Sequence, residues 1–330
     1  MASGAIDPPG DIVTASRRPP SILLAQRAYV VPSRNETTAA AKSRCDRTVE
    51  VTFWIADPPA VSFCSVHCSK PPVSDSEDAD LEVVPHVLAA EGRFVLLRTR
   101  FASGDGEYEY FMYKGDVKSP SLECIPLPED YRILDGVHDF GILPLGDGYL
   151  LAGFYDTFTS MDYGLTIYSS EDKTWRTEKM PNPCPTAGFI IPEKVITLGE
   201  GVLGMVNFWR GMLVFDLLQK PPAARYIPLP APLPENIRKL QVYNPGATPR
   251  RVRDLTCSDG VIKFIEMEHR VIKRETREIA LEKPEDPTQK GRLYDSDFRV
   301  DPATNAKGRC GEQAQEGVLG ECWLEGRDMD

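Results

Sequence analysis

Four of the chain's acid-glycine pairs, Glu91-Gly92, Asp147-Gly148, Glu200-Gly201 and Asp259-Gly260, each lie between two β-type runs and follow one another at intervals of 56, 53 and 59 residues. Self-similarity at a near-constant spacing constrains a fold before local propensity does, because each repeat must bury an apolar face against its neighbours. Counted from each glycine, the fifth residue before it is Val87, Leu143, Ile196 or Leu255, and the third before it is Ala89, Leu145, Leu198 or Cys257. The second residue after it is Phe94, Leu150, Leu203 or Ile262, and the fourth is Leu96, Ala152, Met205 or Phe264. Residues two apart on a strand share a face, so the pattern predicts a tight hairpin with one apolar face in every copy. Glycine supplies the positive φ that such a turn requires.

Each copy continues with a third β-type run, Tyr110 to Tyr113, Leu165 to Ser169 or Met212 to Asp216. A fourth run ends at proline, in Cys124-Ile125-Pro126, Lys179-Met180-Pro181 and Tyr226-Ile227-Pro228. In the last copy Arg270 to Lys273 and Glu278 to Leu281 are read as the outer strands, in preference to one helix over 261–281. Four short antiparallel strands repeating about every fifty residues suit a β-propeller, whose blades bury both faces. The expected fold class is therefore all-β, a β-propeller-like array of four-stranded antiparallel blades whose ring can be incomplete, with an irregular β-sandwich as the alternative.

Upstream, Ile22-Leu23-Leu24, Ala28 to Val31, the alternating Val49 to Ile55 and the run Ala60 to Cys68 are further strand candidates. They could close the ring. Residues 1–20, with Pro8, Pro9, Gly10, Pro19 and Pro20, have no apolar period and are expected to form a disordered leader. Residues 71–80 (PPVSDSEDAD) read as an exposed acidic loop. The expected organisation is thus a leader over 1–20, a propeller-like domain over 21–283, and a poorly ordered or divergent tail over 284–330 that is rich in Gly, Asp, Glu and Arg.

Charge and cysteine usage narrow the function classes. The 38 Lys and Arg against 49 Asp and Glu give a net charge of −11, which disfavours a nucleic-acid partner, since phosphate neutralisation needs clustered cations. No apolar run reaches the roughly 18 residues of a membrane span, and the first residues do not read as a secretory signal. Eight irregularly spaced cysteines do not form a disulfide framework and are read as reduced thiols in cytoplasm or nucleus.

Candidate chemical motifs fare poorly one by one. Cys64-Ser65-Val66-His67-Cys68 brings three soft ligands together, but on a strand Cys64 and Cys68 share one face while His67 points to the other, so no metal site is assigned. Asp139-Phe140-Gly141 spells the kinase magnesium tripeptide without the other kinase signatures; Phe140 is read as the first strand residue, with Asp139 and Gly141 in the turn. His67, His86, His138 and His269 sit beside no nucleophile elbow, and GxGxxG, GxxxxGK[ST] and HExxH are absent. No catalytic or cofactor-binding residue is assigned, and no cofactor is expected.

Asp75, Glu77, Asp78 and Asp80 lack calcium-loop spacing, while Ser74 and Ser76 with downstream acids are candidate phosphorylation sites. Arg250, Arg251, Arg253, Arg270, Lys273, Arg274 and Arg277 are interleaved with acids and read as a solvated, salt-bridged face. Asn35-Glu36-Thr37 is a glycosylation sequon without meaning outside the secretory pathway. Tyr108, Tyr110, Phe111 and Tyr113, and later Tyr155, Phe158, Tyr163 and Tyr168, form aromatic hairpins: some members should fill the space between blades and others could anchor a partner from loops such as 155–163, with core packing the preferred assignment for any single one.

Leu165-Thr-Ile-Tyr-Ser-Ser-Glu-Asp-Lys-Thr-Trp175 resembles the strand, polar turn and tryptophan of kelch and F-box-associated blades, and Gly211 to Asp216 is similar to the matching third strand. Ile22-Leu-Leu, Ala28-Tyr-Val, Arg34-Asn35, Thr37-Thr-Ala39, Ile55 to Ser62 and Val66-His-Cys68 together resemble the grass-expanded plant family called domain of unknown function sixteen-eighteen (DUF1618), over residues 21 to 283. The resemblance implies a β-rich, propeller-like domain without an established activity, so it assigns no functional residue. Members continue with further β-structure where this chain turns to Gly308 to Asp330, and no F-box helix pair precedes the repeats. The expected function is a non-catalytic protein–protein interaction module. The competing class is an enzyme or small-ligand binder using a central pocket, with His138 or His86 taking part; a third is a regulatory protein acted upon through its acidic loop or tail, as by phosphorylation.

Overall fold

The computed structural model describes residues 21–69, 81–102, 106–116, 119–157, 162–183, 190–220, 222–243, 248–258 and 260–268. The fold is all-β, and the chain divides into two compact units, Met1–Leu229 and Pro230–Asp330.

The first unit carries four four-stranded sheets. Strands β1 (Leu23–Leu24), β2 (Ala39–Lys42), β3 (Thr48–Trp54) and β4 (Val61–Ser69) form the first, in the order β1-β4-β3-β2 with β1 parallel to β4. β5 (Leu81–Glu91), β6 (Phe94–Phe101), β7 (Tyr108–Lys114) and β8 (Ser121–Ile125) form the second, an antiparallel meander. After the short helix α1 (Arg132–Asp135), β9 (Val137–Leu145), β10 (Gly148–Asp156), β11 (Tyr163–Ser169) and β12 (Thr174–Met180) repeat that path. So do β13 (Lys194–Gly199), β14 (Val202–Asn207), β15 (Gly211–Asp216) and β16 (Ala223–Pro228). The meander strands fall where the repeat pattern placed them.

Three apolar layers stack these sheets in chain order. Val49, Val51, Phe53 and Val66 of the first sheet meet Val95, Leu97 and Phe111 of the second. Phe94, Leu96, Tyr110 and Met112 on the opposite face of the second meet Phe140, Ile142, Tyr149 and Leu151 of the third. Leu143, Phe154, Leu165 and Ile167 of the third meet Leu203, Met205, Leu213 and Phe215 of the fourth. A strand buried on both faces must be apolar at consecutive positions, which is why β6 begins Phe94-Val95-Leu96-Leu97. Burying each such side chain contributes about 1.5–3 kcal/mol. β5, β9 and β13 lie side by side at one edge of the stack, and as edge strands β5 and β9 accommodate Pro85 and Pro144.

Residues 25–29 stitch the first sheet to the second: the N–H groups of Ala25 and Tyr29 donate to Ser62 and Cys64 of β4, while that of Ala28 donates to Pro85 of β5. The N-terminal strands thus add a sheet to the start of the series, and no closed propeller is present among the described residues.

The four acid-glycine pairs of the repeat lie at hairpin turns, although Asp259 itself is outside the described residues. Gly92, Gly201 and Gly260 have the expected positive φ of 56°, 92° and 73°. The second turn differs: Gly146 takes φ 57°, and Gly148 is the first residue of β10. The expectation of one equivalent apolar face is also corrected. Phe94 and Leu96, like Leu150 and Ala152, face the next sheet, whereas Leu203 and Met205 face the preceding one. The cause is register: β6 starts two residues after its glycine and β14 one, and a one-residue slip inverts every side chain. A bulge between Val87 and Ala89 likewise turns Val87 toward the first sheet. Asp139 and Gly141 are not turn residues but lie within β9, where a Cβ on Gly141 would sit 2.5 Å from the fully buried Leu203.

The second unit contains helix α2 (Pro234–Tyr243), a 3-10 turn at Pro249–Arg251, and the hairpin β17 (Arg253–Ser258) and β18 (Val261–Glu266). Val261 to Glu266 is a strand, as preferred from the sequence; the outer strands expected after residue 269 lie outside the described residues. α2 was not expected, although Pro234 at its first position and Glu235 in its first turn are helix-start signals. Arg253, Leu255 and Cys257 share a hairpin face with Ile262, Phe264 and Glu266. Arg253 is 1% exposed; its Nε lies 3.3 Å from Glu266, its guanidinium donates to the Pro230 carbonyl and it stacks over Phe264. Glu266 also accepts from the Leu233 N–H and from Asn236, at 2.9 and 2.8 Å, so one carboxylate ties the start of α2 to the hairpin. Burial lowers the Arg253 pKa while Glu266 raises it. Arg253 is therefore an interior residue, not part of a solvated face; Arg250 and Arg251 are exposed.

Candidate functional site

Several residues singled out in the sequence are structural. Cys64 and Cys68 face the core with Val66, and His67 lies on the other face opposite Glu50. No group of three His, Cys, Asp or Glu side chains among the described residues is arranged to hold a metal ion. Asn35 shapes a turn: its Oδ1 accepts from the Thr37 N–H at 2.7 Å and its Nδ2 donates to the Phe53 carbonyl at 2.9 Å. His86 lies opposite Arg98 and bridges to Arg27; burial first, then these two cations, lower its pKa and favour the neutral ring. His138 belongs to β9, whereas His269, the acidic stretch with Ser74 and Ser76, Phe158, and Arg270, Lys273, Arg274 and Arg277 lie outside the described residues.

The aromatics pack rather than project. Tyr110 and Tyr168 lie in the layer between the second and third sheets, Phe111 and Tyr113 in the layer before it, and Tyr163 in the layer after it. Tyr108 is half-buried beneath Arg98, and half-buried Tyr155 lies over Gly164. The expected exposed aromatics are thus absent among the described members of these hairpins.

A concave feature of the first unit lies elsewhere, in a groove of about 730 Å³ between the second and third sheets. Edge strand β8 contributes Ser121 and Glu123, β10 contributes Tyr149, and the turn after β11 contributes Ser170 and Glu171. Phe94 and Met112 line it from the core, and Leu145, 39% exposed, adds an apolar contact at the surface.

Tyr149 organises the floor. Its N–H donates to the Ser170 hydroxyl at 2.8 Å, its ring packs 5.2 Å from that of Phe94, and its O–H donates to Glu123. Burial, followed by the Glu123 hydrogen bond and charge, drives the Tyr149 pKa far upward; burial and Glu123 push Tyr168 up to about 12. Both phenols are neutral at physiological pH, leaving the Glu123 carboxylate facing no cation in an ion pair among the described residues. At the mouth the charges are matched: Arg93 reaches Asp116 and Asp147 at 2.8 Å each, and Lys114 lies 3.5 Å from Asp116 and 3.8 Å from Asp147. Arg93 and Lys114 hold the Asp147 pKa below its ordinary value.

This lining can accept hydrogen bonds and a positive charge. Its hydroxyls are not aligned with a histidine, since no histidine lines the groove. Neither Glu123 nor Tyr149 stands out in the sequence as a site residue. A signal was present: in Leu122-Glu123-Cys124-Ile125 the glutamate shares the period-two face of core residue Ile125.

A second interior carboxylate was also missed. Glu109 of β7, 3% exposed, accepts from the Arg44 N–H at 2.8 Å and lies 3.7 and 3.6 Å from the thiols of Cys45 and Cys124. Burial foremost, with Glu109 beside it, raises the Cys124 pKa to about 12; burial does the same for Cys64. A neutral thiol is a poor nucleophile, so these cysteines pack and donate rather than react.

Residues 206–301 match the family model described as Protein of unknown function (DUF1618), in support of the family resemblance. No curated protein and no solved structure matches the chain.

Proposed function

We propose that the chain is a non-catalytic protein–protein interaction module that docks its partner in the groove between the second and third sheets. The observation carrying this reading is the groove itself: a rigid aromatic floor fixes one half-buried carboxylate beside an exposed leucine, on elements locked from both sides by apolar layers. Such a surface combines an apolar contact with a placed polar group, as interaction sites do. On this reading the stacked meanders are an arc of kelch-like, propeller-like blades in a plant protein. Trp175 supports the kelch likeness, since its indole N–H donates to the Pro126 carbonyl at 2.6 Å and fastens β12 to the end of the preceding sheet. The module works in cytoplasm or nucleus, with a protein rather than a nucleic acid or membrane as partner.

The test is affinity capture from plant tissue with the wild-type chain and with Ser121→Trp, which fills the groove from the exposed edge of β8, beside a turnover screen on the purified protein. A partner held by the wild type and lost by Ser121→Trp is the expected result. Turnover of a small molecule that Ser121→Trp abolishes, with no partner retained, would replace the module by an enzyme.

A further inference from the structure

We infer that the groove recognises a cationic side chain, an arginine above all, presented by an extended segment of the partner; the inference rests on the docking role proposed above. Charge complementarity at a fixed place favours this occupant. Glu123, Asp147 and Glu171 line the groove against the single cation Lys114. Asp147 is already engaged by Arg93 and Lys114 at the mouth, and Lys114 is divided between Asp116 and Asp147. That leaves Glu123, deeper in the groove and half-buried, as the carboxylate oriented for an incoming charge.

Tyr149 fixes one Glu123 oxygen with its O–H, and the other has no hydrogen-bond donor among the described residues. A carboxylate held this way offers a preset acceptor, and a guanidinium meets it with parallel N–H donors in one plane. The apolar stem of such a side chain would lie along Leu145 and Leu150, and the Ser121 and Ser169 hydroxyls lie within the same lining. A phosphate or acidic peptide would instead meet Glu123 and Glu171 with like charge.

The experiment uses the full chain and two fluorescent peptides of alternating arginine and glycine, identical except that one carries citrulline, neutral and nearly isosteric, at each arginine. Anisotropy is read for wild type, Glu123→Gln, Ser121→Trp and the remote surface control Glu200→Gln. The arginine peptide is expected to bind the wild type and Glu200→Gln alike, and roughly tenfold or more weakly to Glu123→Gln and Ser121→Trp. The citrulline peptide, which leaves the protein unaltered, should lose a comparable factor on the wild type. Equal weakening by Glu123→Gln and Glu200→Gln would show attraction to overall negative charge and overturn the inference. Binding lost in Ser121→Trp but kept in Glu123→Gln and with citrulline would overturn the cationic specificity while leaving the docking groove standing. No binding of either peptide to the wild type would overturn the inference alone.

Discussion

The third sheet buries both faces in hydrocarbon, with Phe140, Ile142 and Leu151 toward the second sheet and Leu143, Phe154 and Leu165 toward the fourth. The β17–β18 hairpin closes its apolar face with ions instead: Arg253 and Glu266 stand opposite one another where the adjoining pair is Leu255 and Phe264. The two regions illustrate different routes to local order. Apolar layers are non-directional and tolerate a slip, as the inverted register of the β13–β14 turn shows. A buried ion pair tolerates none, because losing one partner strands the other charge away from water.

Mutations separate these routes. The largest effect is expected from Phe154→Ala, about 4 kcal/mol by urea unfolding, because Phe154 is fully buried and contacts the rings of Tyr163 and Phe215. Glu266→Gln should cost about 3 kcal/mol, visible as faster amide exchange across 253–266, because Arg253 loses its charge partner and the Leu233 N–H its carboxylate acceptor. The double replacement Arg253→Met with Glu266→Leu should recover only the part of that loss due to the stranded guanidinium, since a leucine at 266 gives the Leu233 N–H and the Asn236 amide no acceptor. No recovery at all would mean that these hydrogen bonds, rather than the ion pair, hold the hairpin to α2.

The thiols sharpen the comparison at its small end. Cys64 and Cys124 have native pKa values near 12, above the ordinary thiol value, so the folded state keeps protons that the unfolded chain loses as pH rises. Their contribution to stability is therefore complete below about pH 9 and declines from there toward pH 12. Iodoacetamide should label neither residue appreciably in the native protein at pH 8, and both on addition of urea, as mass spectrometry of the digested chain would show.

The strands of the three meanders were legible because strands buried on both faces leave short, nearly continuous apolar runs bounded by turn residues, as in β6 and β11. Facing was not legible from the glycines, since Gly92, Gly148 and Gly201 occupy different positions relative to the strands that follow them. The site residues were obscured for a related reason. Glu123, Glu109 and Arg253 occupy buried or half-buried sheet positions and acquire their roles from groups 26, 65 and 23 residues away in the chain. A charged residue on an apolar period is the trace such sites leave, and it has to be weighed above clusters of charge such as 71–80 or 250–277. Tyr163 and Tyr168 are core by position, which is the assignment preferred from the sequence for any single aromatic of these hairpins.

The docking claim is tested most directly by hydrogen–deuterium exchange of the full chain, free and in complex with the partner retained by affinity capture. Edge strand β8 has neighbouring amides that pair with only one strand, so an occupant of the groove must register there. Slowed exchange is expected at 121–125, 147–151 and 169–171, with the first sheet unchanged. Slowing confined to the first sheet or to residues 230–268, with 121–125 exchanging as in the free chain, would contradict the docking claim.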